Sequence, residues 1–545
     1  MKHYLENLQA TMLSHWDEPA LSDYKGSTFR FKDLAAEIAR LHLLFEKAGI
    51  KEGDKIAFAG KNSARWAIGF LAANTYGAVA VPLLHDFTIP NLQSLTHHSE
   101  SVALFTEQKI WLGMESTSLP MLRLVVDLAS FNPLYTATES IGADIKELDE
   151  LFAAKYPAGL DASMLKYREA DLDKLIVINY TSGTTGNPKG IMLTGRAISS
   201  NVDFALRNLP LERGSKMLSI LPMAHMYGLS FEFLYPICGG CHLYFLGKVP
   251  SPSLLLKAFA EIRPCQLITV PLVIEKIFKN SVIPAMQKNP VKLLLKLPLV
   301  KGLLYKSIGK KIMNTLGGKM NVIIIGGAAL SRPIEELMRK MKMPYVVGYG
   351  MTECAPLIGY ENWRRFAMGS CGKVVDGLEI RVDSPDPCNV AGELQVKGIN
   401  VMQGYYKNPE ATEAAFTPDG WLKTGDLGVV DAQGNIFIRG RSKCMILSAS
   451  GQNIYPEEIE SLLNNLPHVA ESIVVDRQKQ LVAIVAPVID ENNPLSDEQL
   501  EGIMKENCNL LNSKLPSYSK ISRIEILKDG FEHTPKHSIK RFLYT

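Results

Sequence analysis

The sequence predicts an α/β protein that ends in a smaller α+β unit, and three observations carry that prediction. Short β-rich apolar runs alternate with helical stretches through about residue 350. One of them, Val322-Ile323-Ile324-Ile325, is apolar without alternation, as a strand covered on both faces must be. Beyond residue 369 the texture changes twice, first to short runs broken by PDP, DG and QGN turns, then, after Arg441, to a mixed helical and β pattern.

Taken in order, the runs at 55–59, 78–83, 102–105, 175–179, 267–270 and 322–325 read as strands of mostly parallel sheets, with helices between them. The runs at 378–382, 392–397 and 436–438 read as a small antiparallel sheet or barrel. A helix starts near Pro456, with Glu457 and Glu458 in its favourable first turn. A β-pair follows (471–475 and 481–488), then an amphipathic helix through Leu515 and a last strand at 521–527.

The 545 residues suffice for three or four compact units at roughly 150 residues each. A hydrophobic share of 46% and a charged share of 21% are ordinary for a folded chain. Lys plus Arg (59) nearly balance Asp plus Glu (56), which argues against a nucleic-acid partner and leaves self-association open. No apolar run approaches the roughly 18–20 residues of a membrane span. The first residues carry Glu6 and Asp17 and no apolar core, so they do not read as a secretory signal, and a cytoplasmic location is expected. The eight cysteines form no disulfide framework; Cys238 and Cys241, in ICGGCHLYF, read as buried thiols in an apolar strand-like run, with a redox pair as the alternative.

Three groups carry chemistry. The first is Tyr180-Thr181-Ser182-Gly183-Thr184-Thr185-Gly186-Asn187-Pro188-Lys189-Gly190, directly after the buried run LIVIN. Glycines let backbone N–H groups curl around an anion, four hydroxyls add donors and Lys189 adds charge, which makes a phosphate cradle. It is not a Walker A loop, because Lys189 is followed by Gly190. The second group is Gly326-Gly327-Ala328-Ala329-Leu330, then Gly348-Tyr349-Gly350-Met351-Thr352-Glu353. Small residues at strand ends let a ligand approach the backbone, and Glu353 offers a carboxylate suited to Mg2+, although a plain strand-end turn explains this group taken alone. The third is Thr424-Gly425-Asp426, then Arg439-Gly440-Arg441-Ser442-Lys443, where a carboxylate beside a glycine turn suits a ribose diol.

In this order and spacing the three groups resemble the adenylate-forming superfamily: acyl-CoA synthetases, firefly luciferases and the adenylation domains of peptide synthetases. The resemblance covers essentially the whole chain. Leu221-Pro222-Met223-Ala224-His225 is similar to the family's LPxxH segment, and VMQGYYKNPEAT (401–412) to the stretch before its ribose-binding Asp. It implies an N-terminal domain over 1–441, with two α/β subdomains to about 368 and a small β-barrel over 369–441, and a mobile α+β domain over 442–545.

The resemblance also implies two half-reactions: acid plus ATP gives acyl-AMP and pyrophosphate, then coenzyme A takes the acyl group. Residues 181–189 would hold the pyrophosphate, and Glu353 with Thr181 would site Mg2+. Gly327, Ala328, Gly348, Gly350 and Ile438 would border the nucleotide, with Tyr349 on adenine and Thr352 at the α-phosphate. Asp426 and Arg441 would hold the ribose, and His225 would border the acyl pocket. Lys443 falls at the hinge about which the tail domain turns, after which residues 451–460 would face the thiol channel. A helical segment after Val270-Pro271 and the ending Thr534-Pro535 to Ile539-Lys540-Arg541 resemble the long-chain branch and imply a medium- or long-chain fatty acid, the chemistry of lipid metabolism. The alternatives are a carrier protein as acceptor, or a catalytically weak binding homologue.

One position departs from the pattern. The family's adenylating lysine falls at Ser538, and a missing cation opposite the α-phosphate should cost several kcal/mol. Lys536 and Lys540 share the parity of Ser538 in an extended segment, so one of them is expected to replace it, Lys536 first. Separately, ten lysines lie between residues 276 and 319 with no acid among them. That segment is expected either to be a solvated helical face with its leucines packed inward, or to touch an anionic membrane from its inner side.

Overall fold

A computed structural model describes residues 1–146, 148–181, 188–248, 251–447, 452–478, 480–488, 495–534 and 538–545. Its largest sheet has eight strands, in the order Gly404–Tyr405, Lys189–Thr194, Leu175–Thr181, Val79–Leu83, Lys55–Ala59, Ser101–Thr106, Leu124–Asp127, Pro133–Thr136. The five central strands run parallel and the outer ones antiparallel. Both faces are covered, which is why these strands read as unbroken apolar runs. Ile56, Phe58, Ala103 and Phe105 face the main core, while their neighbours Ala57, Ala59 and Leu104 join a second core with Ile178 and Tyr180.

The second α/β part contains two sheets. Gln266–Thr269, Val322–Ile325 and Tyr345–Val347 form a parallel three-stranded sheet. Lys216–Ser219 and His242–Phe245 run parallel and then take in two strands from the start of the chain, Pro19–Asp23 and Thr28–Arg30, a pairing across more than 200 residues that no local pattern announces. The β-rich part is a four-stranded antiparallel sheet, Leu378–Asp383, Gly392–Gly398, Leu422–Val430 and Ile436–Arg441. The bridge Lys373↔Asn435 joins it to a three-stranded meander, Tyr349–Gly350, Leu357–Tyr360 and Lys373–Val374, to give the barrel-like unit.

From Ile446 onward the chain builds cores of its own around Ile459, Leu463, Val474 and Met504, and around Ile473, Val482 and Phe531. The helix Pro456–Leu463 starts where the sequence places it, and the following helix, Asp497–Asn512, stops three residues short of Leu515. The Cys238–Cys241 reading needs one correction. Cys238 ends the helix Tyr235–Cys238, and a strand begins only at His242, because Gly240 with φ +75° turns the chain between them. Both thiols are buried, and burial pushes Cys238 up, so it is an inert core group.

Candidate active site

The site grows from strand ends. In the parallel three-stranded sheet the N–H of Gly326 donates to Thr269 O at 3.0 Å and that of Gly348 to Ile325 O at 2.8 Å. A Cβ at Gly326 would lie 3.1 Å from the Tyr227 ring, whose hydroxyl donates to Ile324 O at 3.1 Å, so Tyr227 roofs this end of the sheet. The next residue, Gly327, has φ +87°, and together with exposed Ala328 it leaves an open ledge.

The chain then turns sharply. A Cβ at Gly350 would stand 2.2 Å from Pro356 O, so only glycine lets the two limbs close. Thr352, buried, opens the short helix Thr352–Cys354. Asn201, buried on the helix Gly195–Asn208, clamps this turn by donating to Cys354 O (3.2 Å) and accepting the Leu357 N–H (2.9 Å). Ser230 adds a bond to Ala355 O at 3.0 Å.

Two side-chain groups converge here. Asp426, 4% exposed, accepts the Tyr349 hydroxyl at 2.6 Å on one oxygen and Arg441 Nε at 2.8 Å on the other. Strand register produces the second contact, since Asp426 and Arg441 are direct antiparallel partners; half-buried Ile438 lies opposite Gly428 on the same pair of strands. Burial raises the Asp426 carboxyl while Arg441 pulls it back. A carboxylate has about four acceptor directions, so capacity remains for a diol.

In the second group the Tyr405 hydroxyl donates to Glu353 Oε1 at 3.0 Å, and Lys189 Nζ lies 4.8 Å from the centre of the Tyr405 ring. Thr181 and Lys189 are paired across the hairpin at the point where the glycine- and hydroxyl-rich loop leaves and returns. One ammonium, one carboxylate and one hydroxyl at a hairpin tip match a polyphosphate with a divalent cation. No cage of three or more His, Cys, Asp or Glu exists among the described residues.

His225 ends a loop held from three sides. Glu232, fully buried in the helical turn Leu229–Leu234, accepts Ser219 Oγ (3.0 Å), Ile220 N–H (3.0 Å) and Leu221 N–H (2.8 Å) on one oxygen, and its other oxygen has no partner among the described residues. Asn62 donates to Leu221 O (2.6 Å) and accepts Met223 N–H (2.8 Å), and Asn179 donates to Ala224 O (2.8 Å). Burial pushes the Glu232 carboxyl up to about 8.

The tail touches the N-terminal part through Lys279 to Asn464 O (2.8 Å), Ser331 to Asn465 (3.0 Å) and Arg439 to Glu458 (3.3 Å), and its own cations Lys540 and Arg541 are paired within it. Lys540 Nζ pairs with Glu532 at 3.1 Å, and Arg541 is ion-paired with Glu460, whose carboxyl burial pushes up to about 7 against the pull of Arg541. Ser538 is exposed, and Lys443 is exposed in the short helix Ser442–Cys444.

The sequence profile of AMP-binding enzymes matches residues 8–406, and that of the AMP-binding enzyme C-terminal domain matches 444–544. The chain belongs to the AMP-binding enzyme family. With the family goes its coarse activity, ligation through an acyl adenylate. A long-chain-fatty-acid–CoA ligase of Mycobacterium bovis is 28% identical over 81% of this chain and 74% of its own. A chloroplastic long-chain-fatty-acid–[acyl-carrier-protein] ligase of Arabidopsis thaliana is 28% identical over 87% of this chain and 74% of its own. Among solved structures, an o-succinylbenzoate coenzyme A synthetase of Bacillus subtilis in complex with ATP and magnesium ion shares the fold, with a TM-score of 0.74 at 24% identity over 98% of each chain.

In this AMP-binding enzyme the structure brings together Tyr349, Asp426 and Arg441, and separately Thr181, Lys189 and Glu353, with Gly327, Ala328, Gly348, Gly350 and Thr352 on the connecting strand ends. Lys540 is not among them. Ser182, Gly183, Thr184, Thr185, Gly186 and Lys536 lie outside the described residues, as does Gly451. Sequence reading missed Tyr405, Tyr227, Asn201 and Glu232. A lone acid inside the apolar run MYGLSFEFLYPIC was the available signal for Glu232, and the doublet Tyr405-Tyr406 for Tyr405.

Proposed function

We propose that this enzyme condenses a medium- or long-chain fatty acid with ATP to form an acyl adenylate and pyrophosphate, then passes the acyl group to coenzyme A. The observation that carries the reading is the buried Asp426 carboxylate fixed between Tyr349 and Arg441, beside a ledge of small residues. A carboxylate is a poor electrophile because its leaving group would be oxide; capping with AMP supplies a better one. Asp426 would take the ribose hydroxyls on its remaining lone pairs, while Tyr349, its hydroxyl already held, would present its ring to adenine. Lys189 and the loop after Thr181 would gather the departing pyrophosphate charge. Glu353 and Thr181 would hold Mg2+, which offsets the crowding of phosphate and carboxylate charge. Exposed Lys443, in a short turn between the two units, can absorb the backbone change that exchanges one half-reaction for the other.

The fatty-acid and coenzyme A assignment is supported by the mycobacterial relative. A carrier protein is the second reading, favoured by the chloroplastic relative of equal identity. Incubation with Mg-ATP and a ladder of fatty acids, with coenzyme A, with acyl carrier protein or with neither, separates them when AMP, pyrophosphate and thioester are followed by mass spectrometry. Coenzyme A-dependent thioester with stoichiometric AMP is expected. Thioester formed only on the carrier protein makes the second reading correct. Pyrophosphate release from no acid overturns both and marks Ser538 as a loss of catalysis.

A further inference from the structure

The segment between the strands Gln266–Thr269 and Val322–Ile325 is largely helical, and it leaves several of its leucines exposed. In the helix Pro298–Thr315 one face is docked: Tyr305, Ile308 and Ile312 pack against the main core. Gly309 meets the next helix so closely that a Cβ there would stand 2.3 Å from Met341 O. At about 100° per residue, Val300 and Leu303 point away from that face. They are 37% and 71% exposed, and just upstream, around the short helix Val291–Leu294, Leu293 and Leu297 are 64% and 48% exposed. Leu293, Leu297, Val300 and Leu303 thus make an exposed apolar ridge along the chain, spread over two successive helices with extended Leu297 at the joint.

Charge surrounds the ridge. Lys292, Lys296 and Lys301 alternate with its leucines and are exposed. From residue 276 to residue 334 the sequence has no Asp or Glu. Of the ten lysines between 276 and 319, Lys279 donates to Asn464 O at 2.8 Å; the others are exposed and have no ion-pair partner among the described residues. A solvated helical face carries charge of both signs and turns its leucines inward; this face does neither. No described helix is long and apolar enough to cross a membrane, so a lipid contact here would lie on the surface.

We propose that this lysine-flanked ridge docks the enzyme onto an anionic lipid surface, with Leu293, Leu297, Val300 and Leu303 entering the headgroup–acyl boundary and the lysines meeting the headgroup charge. A projecting apolar ridge suits a fluid lipid interface better than a folded acidic protein, which would need a matching groove. The docking does not rest on the fatty-acid reading above.

The test is co-sedimentation of the full-length protein with vesicles of phosphatidylcholine alone or mixed with phosphatidylglycerol, without ATP or fatty acid. Two triple variants accompany the wild type, K292E/K296E/K301E and L293S/L297S/L303S. Wild type should bind the anionic vesicles and leave the neutral ones, and each triple variant should lower the partition coefficient by more than about tenfold. Both variants should keep wild-type melting temperatures and pyrophosphate release with a water-soluble short-chain acid, which shows them folded. Failure of wild type to bind anionic vesicles overturns the proposal, as does undiminished binding by either variant. Binding to purified acyl carrier protein but not to vesicles, lost in the lysine variant, overturns it in favour of an acidic protein. Absence of pyrophosphate from every fatty acid would sink the fatty-acid reading and leave the vesicle result standing.

Discussion

Asp426 and Lys540 each carry a charge that acyl-adenylate chemistry would use, and the chain holds them in opposite ways. Asp426 sits in the N-terminal part, buried, with Tyr349 and Arg441 delivered to it by a neighbouring strand end and by antiparallel register. Lys540 sits in the separate tail unit, half-exposed, with its ammonium on a glutamate eight residues away. On the proposed reading the nucleotide side is thus preassembled, and a tail cation that served it would have to be brought to it. Such a site would be completed only when the tail turns about Lys443, as two half-reactions in one place would require.

The largest expected effect comes from breaking the preassembled side. Asp426→Ala leaves the Tyr349 hydroxyl and the Arg441 guanidinium without their shared acceptor. It should lower kcat/KM for ATP in pyrophosphate release by about a hundredfold or more. Tyr349→Phe removes one donor but keeps the ion pair, and should cost only about threefold. Equal, small losses in the two variants would mean that Asp426 is a structural partner of Arg441 and not a nucleotide ligand.

The tail side is tested by Lys536→Ala and Lys540→Ala. One of the two should slow acyl-adenylate formation by at least about tenfold, while transfer from preformed acyl-AMP to coenzyme A stays within about twofold of wild type. If neither slows the first step, no tail lysine substitutes at Ser538, and the cation opposing the α-phosphate belongs to the N-terminal part. If Lys540 is the one, its pairing with Glu532 must break during the cycle, and Glu532→Gln should raise the rate of the first step.

How much of this was legible follows the same division. Strands buried on both faces announce themselves, so Lys55–Ala59 and Val322–Ile325 have the bounds their apolar runs suggest. Short motifs rich in glycine and hydroxyls also announce themselves, because few other roles explain so many turn formers together. What one chain does not display is pairing between distant segments. The Pro19–Asp23 strand beside His242–Phe245, the Tyr405 hydroxyl on Glu353 and the Asn201 clamp on Cys354 each join residues at least 50 apart. Their side chains obey no local period. The exposed ridge at 293–303 was half legible: its lysines could be counted, but whether its leucines point in or out depends on which face of the helix the body covers.

Glu232 tests the preassembled side at its edge and should give the smallest effect. Its three accepted hydrogen bonds fix residues 219–221, and through them the loop that ends at His225. Glu232→Gln keeps a carbonyl oxygen for these donors, so kcat should hold while KM for the acid rises by about threefold and KM for ATP does not move. A fall in kcat with both KM values unchanged would place Glu232 outside acyl binding. The pH dependence has a definite sign. The carboxyl titrates near its ordinary 4.5 in the unfolded chain and at about 8 in the folded one, so between these values the folded state binds the extra proton. Its contribution to stability is complete below about pH 4.5 and is lost as the pH rises through about 8. Glutamine has no such titration. The melting temperature of wild type relative to Glu232→Gln should therefore fall as the pH is raised across that interval, and a flat difference would show that Glu232 is ionised in the folded protein throughout.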